Sequence, residues 1–406
     1  MLTAWAAIPF GLMLLAMAVL PLVAPQWWRR YYPLVTALVA LPVLVGYGLL
    51  DRSLVPVGHT LREYLSFICL IGSLYVIAGG IRLRIVGPPR PLLNVLILLA
   101  GALAANVIGT TGASMLLIRS HLNNNRHRYA PYLVVFFIFV VANIGGALTP
   151  IGDPPLFLGY INGVPFFWVL AHAWYLWLVA IGLVLAVFYW FDRRNPAGRR
   201  GARRPTRIHL EGNRNLVLLA IVLTAVFARP PVRELVMVGA AAASFLFTRQ
   251  GLHRRNQFGF GPVIEVAVLF AGVFTTMAPV LRLLEAGASR LALHSAPGFF
   301  WTSGFLSSVL DNAPTYRTFL AMALATTGGS IGNLLRLHPE FVRAISLGAV
   351  FFGAMTYIGN GPNFMVKSIA EHRRLRVPHF FEYIYRFSLP VLIPVFVIVW
   401  LLLTVA

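Results

Sequence analysis

The chain has 406 residues, of which 59% are hydrophobic and 11% are charged, and its formal net charge is +21. A mean hydropathy of +0.78 excludes a soluble globular domain. Nucleic-acid binding needs basic residues gathered on one soluble face, whereas here they sit in short loops between apolar runs. We therefore expect a polytopic membrane protein that contacts lipid and no nucleic acid. The single cysteine, Cys69, excludes an intramolecular disulfide.

Apolar runs recur along the whole chain, and a helical membrane span needs about 20 such residues. Long runs lie near residues 4–24, 31–50, 64–81, 131–149, 165–191, 215–228, 232–248, 262–283, 341–358 and 387–405, and shorter ones at 92–118 and 297–325. We predict an all-α fold from these runs. The first run is expected to be a retained span, because no basic residue precedes Arg29.

Two stretches in the two halves of the chain carry nearly the same text. Residues 147–157 read ALTPIGDPPLF and residues 354–364 read AMTYIGNGPNF. Each follows an apolar run, so glycine and proline arrive where a membrane helix should still continue. An interrupted helix in both halves is typical of a secondary transporter whose site lies between two repeats. The residues predicted to break helices are Pro150, Pro154, Pro155, Pro314, Gly361 and Pro362.

The basic residues predict the orientation of the spans. We assume that the loop from Asp192 to Arg214 is cytoplasmic and that successive spans before and after it cross the membrane in alternating directions. Most of the 33 Lys and Arg residues then lie on the cytoplasmic side. Besides those of the loop, they are Arg29, Arg30, Arg82, Arg84, Arg90, Arg119, Arg126, Arg128, Arg249, Arg254, Arg255, Lys367, Arg373, Arg374 and Arg376. We expect the N-terminus outside and a location in a bacterial inner membrane.

This alternation works only if the two shorter apolar segments enter and leave the membrane on one side. We therefore predict two re-entrant hairpins, each followed by a broken transmembrane helix, in two repeats of inverted topology. Non-helical backbone inside a membrane is tolerated only in protein or beside a polar cavity, so the four breaks should meet. The predicted units are scaffold helices in 1–58, repeat 1 in 59–191 with its hairpin at 92–120 and broken helix at 131–160, a basic cytoplasmic linker in 192–214, and repeat 2 in 215–406 with its hairpin at 297–325 and broken helix at 341–370.

Three acids lie in apolar surroundings, namely Asp153, Glu265 and Asp311. A carboxylate at the bilayer centre costs roughly 3 kcal/mol, so such a residue is functional by default. Burial favours the neutral form of a carboxylate and a nearby cation favours its charged form, so the same oxygens can hold a proton or a sodium ion. We assign Asp153 and Asp311 to this role, with helix capping as the structural alternative. Glu265 lies near the end of its span and can reach the interface.

Three motifs resemble the ion transporter superfamily, which includes divalent anion/sodium symporters, citrate carriers, arsenite efflux permeases and D-type sodium/proton antiporters. The text IGTTGASMLL at 108–117 resembles the Ser-Asn-Thr hairpin of the carboxylate symporters. The text from IGG at 144–146 to IGDPP at 151–155 resembles their Gly-Thr-Pro-Pro helix break. LDNAPT at 310–315 is similar to a motif of the antiporter and arsenite branches. The resemblance covers roughly residues 60–400.

The resemblance implies a homodimer in which scaffold helices stay still while a transport domain moves the site across the membrane. It also implies two sodium sites, formed by Gly109, Thr110 and Thr111 with Gly152 and Asp153, and by Asp311, Asn312 and Ala313 with Gly359 and Asn360. Asn143, Ser114 and Thr315 are further candidate partners of the substrate. The chain departs from the carboxylate symporters, because Asp153 replaces Thr and Asp311 replaces Ser, and both charges would repel citrate.

We therefore predict exchange of sodium or lithium for protons, without a cofactor, a transition metal or enzymatic activity. A sodium- or proton-coupled citrate or dicarboxylate carrier is the main alternative, since Arg317 lies one turn past the second tip and could bind a carboxylate. Arg317 is equally expected to pair with Asp311. An arsenite-type permease is a third option. The motifs of intramembrane aspartyl proteases and the Walker-type loop are absent from the sequence.

Overall fold

The computed structural model describes residues 4–50, 53–87, 90–195, 207–256, 258–287, 293 and 295–405. Its helices are α1 (Ile8–Val23), α2 (Pro25–Val45), α3 (Val55–Gly79), α4 (Pro91–Asn124), α5 (Tyr132–Val140), α6 (Pro154–Ile161), α7 (Trp168–Arg193), α8 (Arg214–Ala225), α9 (Val232–Phe247), α10 (Gln250–Arg255), α11 (Gly261–Gly287), α12 (Ala296–Val309), α13 (Asn312–Thr326), α14 (Ile331–Leu337), α15 (Pro339–Phe352), α16 (Gly361–His372), α17 (Phe380–Tyr383) and α18 (Leu389–Val405). Short 3-10 helices cover Ala4–Ala7, Ile144–Gly146 and Gly353–Met355, and π-helical turns cover Gly46–Leu50 and Ile384–Ser388.

Judged by length and composition alone, six helical stretches of the described chain are long and apolar enough to cross a membrane. They are Pro25–Leu49, Val55–Gly79, Pro91–Asn124, Trp168–Arg193, Gly261–Leu283 and Phe380–Thr404, and α13 with α14 adds a seventh if this pair, bent by 80°, counts as one span. The predicted all-α polytopic membrane protein is confirmed. Several predicted runs form shorter helices, because glycine and proline interrupt them.

Two short strands were not predicted from the sequence. Strand β1 (Arg82–Val86) follows α3, and β2 (Arg207–Glu211) lies in the region predicted to be an irregular basic linker. They pair antiparallel, with Arg82 opposite Glu211 and Val86 opposite Arg207. Alternating polar and apolar residues, as in this RLRIV and RIHLE text, favour a half-buried strand, and that signal was overlooked. Part of the linker, 196–206, lies outside the described residues.

Helix α4 contains a sharp break that folds it back on itself. The backbone at Gly109 has φ 76° and ψ 155°, in a region that only glycine adopts readily. The side chains of Asn94 and Asn125 hydrogen-bond to each other in both directions, at 2.9 and 2.8 Å. A straight helix would separate these residues by roughly 46 Å. The two arms of α4 therefore lie side by side as a hairpin.

The second predicted hairpin consists of α12 and α13, which are separated by extended backbone at Leu310 and Asp311. The rings of Phe299 in α12 and Phe319 in α13 lie 6.5 Å apart, between centroids, so these two helices also fold back on each other. Both segments thus return to the end at which they start, which is the chain path that a re-entrant hairpin requires. The inverted orientation of the repeats and their boundaries remain predictions.

The helices that precede the two sequence-related stretches lie at the centre of the protein. All nine residues of α5 are buried, and nearly all of α15 from Phe341 to Phe352 is buried. Both helices are apolar on nearly every face, and other helices of the protein cover them. Both helices end in a 3-10 turn and extended backbone, and α6 and α16 begin only at Pro154 and Gly361. The chain is therefore non-helical at residues 147–153 of the first predicted break and at 356–360 of the second.

The residues predicted to break helices mostly begin the helix after each break. Pro154 and Pro155 open α6, and Gly361 and Pro362 open α16. The amide hydrogen that proline lacks would have no partner in the first turn of a helix, and its fixed φ suits that position. Pro314 lies in the first turn of α13. Pro150 lies in the non-helical part of the first break.

Candidate functional site

The carboxylate of Asp153 lies at the centre of the site and is fully buried. Its Oδ1 accepts hydrogen bonds from Thr110 Oγ1 at 2.9 Å and from Asn360 Nδ2 at 3.0 Å. Its Oδ2 accepts a hydrogen bond from Asn312 Nδ2 at 2.8 Å. Within the described chain, no Arg, Lys or His side chain forms an ion pair with Asp153. Three neutral donors therefore surround a buried acid that has no cationic partner.

These donors come from three different parts of the chain. Thr110 follows the break in α4, Asn312 begins α13, and Asn360 precedes α16, while Asp153 itself precedes α6. The two hairpin tips and the two broken helices thus meet at one carboxylate, as the sequence analysis expected. Backbone N–H and C=O groups that lose their helical partners at the breaks are tolerated at this depth because protein surrounds them.

A second contact between the halves lies beside Asp153. Asn143 is fully buried and its Nδ2 donates to Asn363 Oδ1 at 2.7 Å and to the carbonyl of Ile138 at 2.8 Å. The Oδ1 of Asn143 has no hydrogen-bond partner among the described residues. A methyl group built on Gly353 would lie 2.8 Å from this oxygen and 2.4 Å from Asn312 Oδ1, so two amide oxygens face the same point.

Each of the two breaks contains a threonine that makes the same pattern of hydrogen bonds. Thr149 Oγ1 donates to the carbonyl of Asn106, in the first arm of α4, at 2.5 Å. Thr356 Oγ1 donates to the carbonyl of Ser308, in α12, at 2.6 Å. Each hydroxyl also accepts a hydrogen bond of 3.1 Å from the amide of the glycine three residues later. Each threonine therefore joins a hairpin arm to the break that follows it.

The glycines of the two breaks permit close backbone contacts. A Cβ atom on Gly152 would lie 2.1 Å from the carbonyl oxygen of Gly146, and one on Gly359 would lie 2.7 Å from that of Gly353. Real Cβ atoms do not approach so closely. These contacts explain why the two stretches keep glycine at equivalent positions, since any side chain would push the extended segment away from the preceding turn.

Asp311 lies near this centre but has a different environment. It is half-buried, and its Oδ1 caps α13 by accepting a hydrogen bond from the amide of Ala313 at 3.1 Å. Asp311 directly precedes Asn312, whose amide donates a hydrogen bond to Asp153. Asp153, by contrast, makes no side-chain capping bond to α6, so the capping alternative is wrong for this residue. Capping applies to Asp311 alone.

Three of the remaining predicted residues lie around the two hairpin tips, and the fourth lies in α11. Thr111 is half-buried, and Ser114 is fully buried with a hydroxyl that has no partner among the described residues. The hydroxyl of Thr315 donates to the carbonyl of Asp311 at 3.0 Å, within the first turn of α13. Glu265 is half-buried in α11. None of these four side chains contacts Asp153 by a hydrogen bond.

The expected pairing of Arg317 with Asp311 is wrong, because Arg317 pairs with Glu63 of α3. The Nε–Oε2 distance is 3.1 Å and the Nη2–Oε1 distance is 3.2 Å, which makes the pair bidentate. Both side chains are only 8% exposed. Glu63 was overlooked because it was placed just outside a span predicted to begin at residue 64, whereas α3 begins at Val55.

Asp192 is a second buried acid that the sequence analysis overlooked. It forms an ion pair with Arg128 and accepts hydrogen bonds from Tyr132 at 2.6 Å and from Asn94 at 3.0 Å. Because Asn94 also bonds Asn125, this network joins the open end of the α4 hairpin to the end of α7. Asp192 was placed at the edge of its span, and only its contacts reveal that it is buried.

Four further polar side chains lie in the site, although they were not among the residues predicted to form it. They are Asn106, Thr149, Thr356 and Asn363. An amide or hydroxyl inside an apolar run is the signal that could have identified them. Together with the Asp153 carboxylate and the amide groups of Asn143, Asn312 and Asn360, they offer hydroxyl, amide and backbone oxygens, which are the ligands that alkali and other hard cations bind.

Comparison with known proteins agrees with this architecture. A family model described as "Putative citrate transport" matches residues 1–404, which is nearly the whole chain. This match supports the resemblance to citrate carriers noted above, while the likeness to sodium/proton antiporters stays an interpretation. No curated protein matches the chain. The protein is thus a multi-pass membrane transporter that belongs to this citrate-transport family.

Proposed function

We propose that the protein is a secondary active transporter that exchanges Na⁺ or Li⁺ for protons by alternating access. The observation that carries this proposal is the fully buried Asp153 carboxylate, which has three neutral donors and no basic partner in the described chain. A charge buried in this way is costly unless a cation compensates it or a proton removes it. The two states of Asp153 are then the cation-loaded and the proton-loaded states.

The surrounding amides support a site that can hold either ion. Asn312 and Asn360 turn their NH₂ groups toward Asp153. An amide side chain that rotates by half a turn offers its oxygen in place of its nitrogen. With a cation bound, rotated amides and the unpartnered Oδ1 of Asn143 would add oxygen ligands to those of Asp153. With a proton bound, the present donors can remain.

The charges near the site favour a cation over an anion. Asp153 and Asp311 both lie there, and their charges would repel a carboxylate substrate. The guanidinium of Arg317, which was expected to be available to such a substrate, is already engaged by both oxygens of Glu63. A citrate or dicarboxylate carrier remains the second candidate because the family is described by citrate transport. Binding of citrate through the Nε and Nη2 edge of Arg317 would require this residue to leave Glu63.

Transport in reconstituted liposomes tests both candidates. A vesicle loaded at acidic pH carries a gradient that a pH-sensitive dye reports, and external Na⁺ or Li⁺ should collapse this gradient. Asp153→Asn should abolish the response, because the amide cannot exchange a proton for a cation, and Asp311→Asn should reduce or abolish it. Glu340→Gln is the matched control, since Glu340 lies in the first turn of α15 and its one ion pair in the described chain is with His338.

Uptake of radiolabelled citrate into the same vesicles provides the second measurement. The proposal predicts collapse of the gradient by Na⁺ or Li⁺ without citrate uptake. Citrate uptake driven by Na⁺ or by a pH gradient, together with no dye response to cations alone, would assign the chain to the carboxylate carriers. A cation response that Asp153→Asn retains at full size would overturn the role of the buried acid.

A further inference from the structure

Five arginines from four separate segments of the chain line one pocket. They are Arg82 and Arg84 of β1, Arg119 of α4, Arg255 of α10 and Arg373 at the end of α16. The pocket has a volume of about 50 Å³, several times what one water molecule needs. All five belong to segments that the positive-inside rule predicts to be cytoplasmic, so their convergence is consistent with that assignment.

Acidic side chains compensate this charge only in part. Glu211 of β2 lies 3.0 Å from Arg255 and 3.8 Å from Arg82, and its side chain is 42% exposed. No other acid of the described chain pairs with the five arginines. The undescribed residues 196–206 contain no acid at all. An excess of positive charge therefore remains in the pocket.

The arginines from α4 and α16 are half-buried and are held close together. Arg373 Nη1 donates to Asn123 Oδ1 at 2.8 Å and to the carbonyl of Arg119 at 3.4 Å. The Nε of Arg119 is buried and has no hydrogen-bond partner among the described residues. The charges of Arg373 and Arg82 act unfavourably on Arg119, and burial lowers the pKa of the Arg373 guanidinium. Repulsion among these guanidinium groups favours the binding of an anion between them.

From this cluster we infer that the pocket is a binding site for a phosphate group, supplied by an anionic lipid headgroup or by a free phosphate. Guanidinium groups bind phosphate oxygens through two parallel hydrogen bonds, and arginine is the preferred residue for this contact. A phosphate has more oxygens to share among several arginines than a carboxylate has. The bound group would connect the second arm of α4 and the end of α16 to β1 and α10.

Two binding measurements on the purified full-length protein distinguish the sources. In detergent, the unfolding midpoint is followed during titration with sodium phosphate, and again with sodium chloride of the same ionic strength. In nanodiscs of phosphatidylcholine with phosphatidylglycerol, native mass spectrometry counts the phosphatidylglycerol molecules that remain bound. A stabilisation specific for phosphate identifies a free-phosphate site, and retention of phosphatidylglycerol without it identifies a lipid site.

The double variant Arg119→Gln/Arg373→Gln should weaken whichever binding is observed by about tenfold or more, since it removes two charged donors. The matched control Arg126→Gln/Arg254→Gln removes the same charge from exposed positions that do not line the pocket, and it should bind as the unmodified protein does. Equal loss in both double variants would show that binding depends only on diffuse charge and would overturn the inference. So would the absence of both phosphate stabilisation and lipid retention in the unmodified protein.

A third variant keeps all five arginines and guards against misfolding of the double variant. Asn123→Asp replaces the amide oxygen that contacts Arg373 by a carboxylate of the same shape. The new carboxylate should occupy Arg373 and compete with the phosphate, so binding should again fall. Unchanged binding in Asn123→Asp contradicts the proposed site. None of these measurements depends on which ion the protein transports.

Discussion

The ion pair between Glu63 and Arg317 can be tested by replacing each partner alone and both together. If Arg317 serves to pair with Glu63, then removing either partner strands a charge in a buried position. Both side chains are 8% exposed, and the contact is bidentate at 3.1 and 3.2 Å. We predict that Glu63→Gln and Arg317→Gln each destabilise the protein, and that the double variant is much less destabilised than their sum.

The magnitude follows from the burial of the pair. Breaking a buried ion pair by removing one partner costs about 3–5 kcal/mol, because the remaining charge is uncompensated. Replacing both partners by neutral groups of similar volume is often close to neutral. His59 Nδ1 lies 3.5 Å from Glu63 but its side chain is 67% exposed, so it can only partly replace Arg317. The coupling energy between the two sites should therefore reach about 2 kcal/mol or more.

Chemical unfolding in detergent, followed by tryptophan fluorescence, measures this double-mutant cycle. The dye assay in liposomes then shows whether the double variant still transports cations. Additive effects of the two single variants would refute the structural pairing. A double variant that regains stability but has lost all transport would instead show that Glu63 or Arg317 takes part in transport beyond their pairing.

Three further predictions concern the site itself. Gly109→Ala should destabilise the protein by about 1 kcal/mol or more and slow transport, because φ at this position is 76°, whereas Gly182→Ala in open space inside α7 should not destabilise it in the same unfolding assay and can stabilise it. Thr110→Val should weaken Na⁺-dependent dye recovery by about tenfold, since a hydrogen bond to a charged group is lost, and Thr110→Ser should retain it. The Na⁺ concentration for half-maximal response should rise as the pH falls, because protons and cations compete for Asp153; a value independent of pH would contradict a shared site.

Much of the fold could be predicted because the relevant signals are local. The breaks at 147–157 and 354–364 follow from glycine and proline inside apolar runs, and the structure has extended backbone in both. The fold-back of α4 at Gly109 and of α12 onto α13 followed from which flanking arginines must share one side. These inferences needed only hydropathy, turn-forming residues and charge.

The charged contacts could not be predicted in the same way. Glu63 and Arg317 are separated by most of the chain, and nothing in their immediate neighbours distinguishes a buried glutamate from one at a membrane edge. The same holds for Asp192, which was placed at the end of its span and is buried by Arg128 and Tyr132. Burial depends on which helices pack around a residue, and the boundaries of apolar runs are uncertain by more than one residue.

The amino-acid sequence by itself determined that the chain is an all-α membrane protein, where its helices break, and which polar residues lie at those breaks. These features could be read locally, because a polar or helix-breaking residue within an apolar run is energetically costly wherever it lies. Only the tertiary structure decided that Asp153 is the acid at which all four breaks meet, that Arg317 pairs with Glu63, and that five arginines from four separate segments share one pocket. Such contacts join residues that packing alone brings together, and electrostatic energy depends on their separation and burial rather than on their order in the chain.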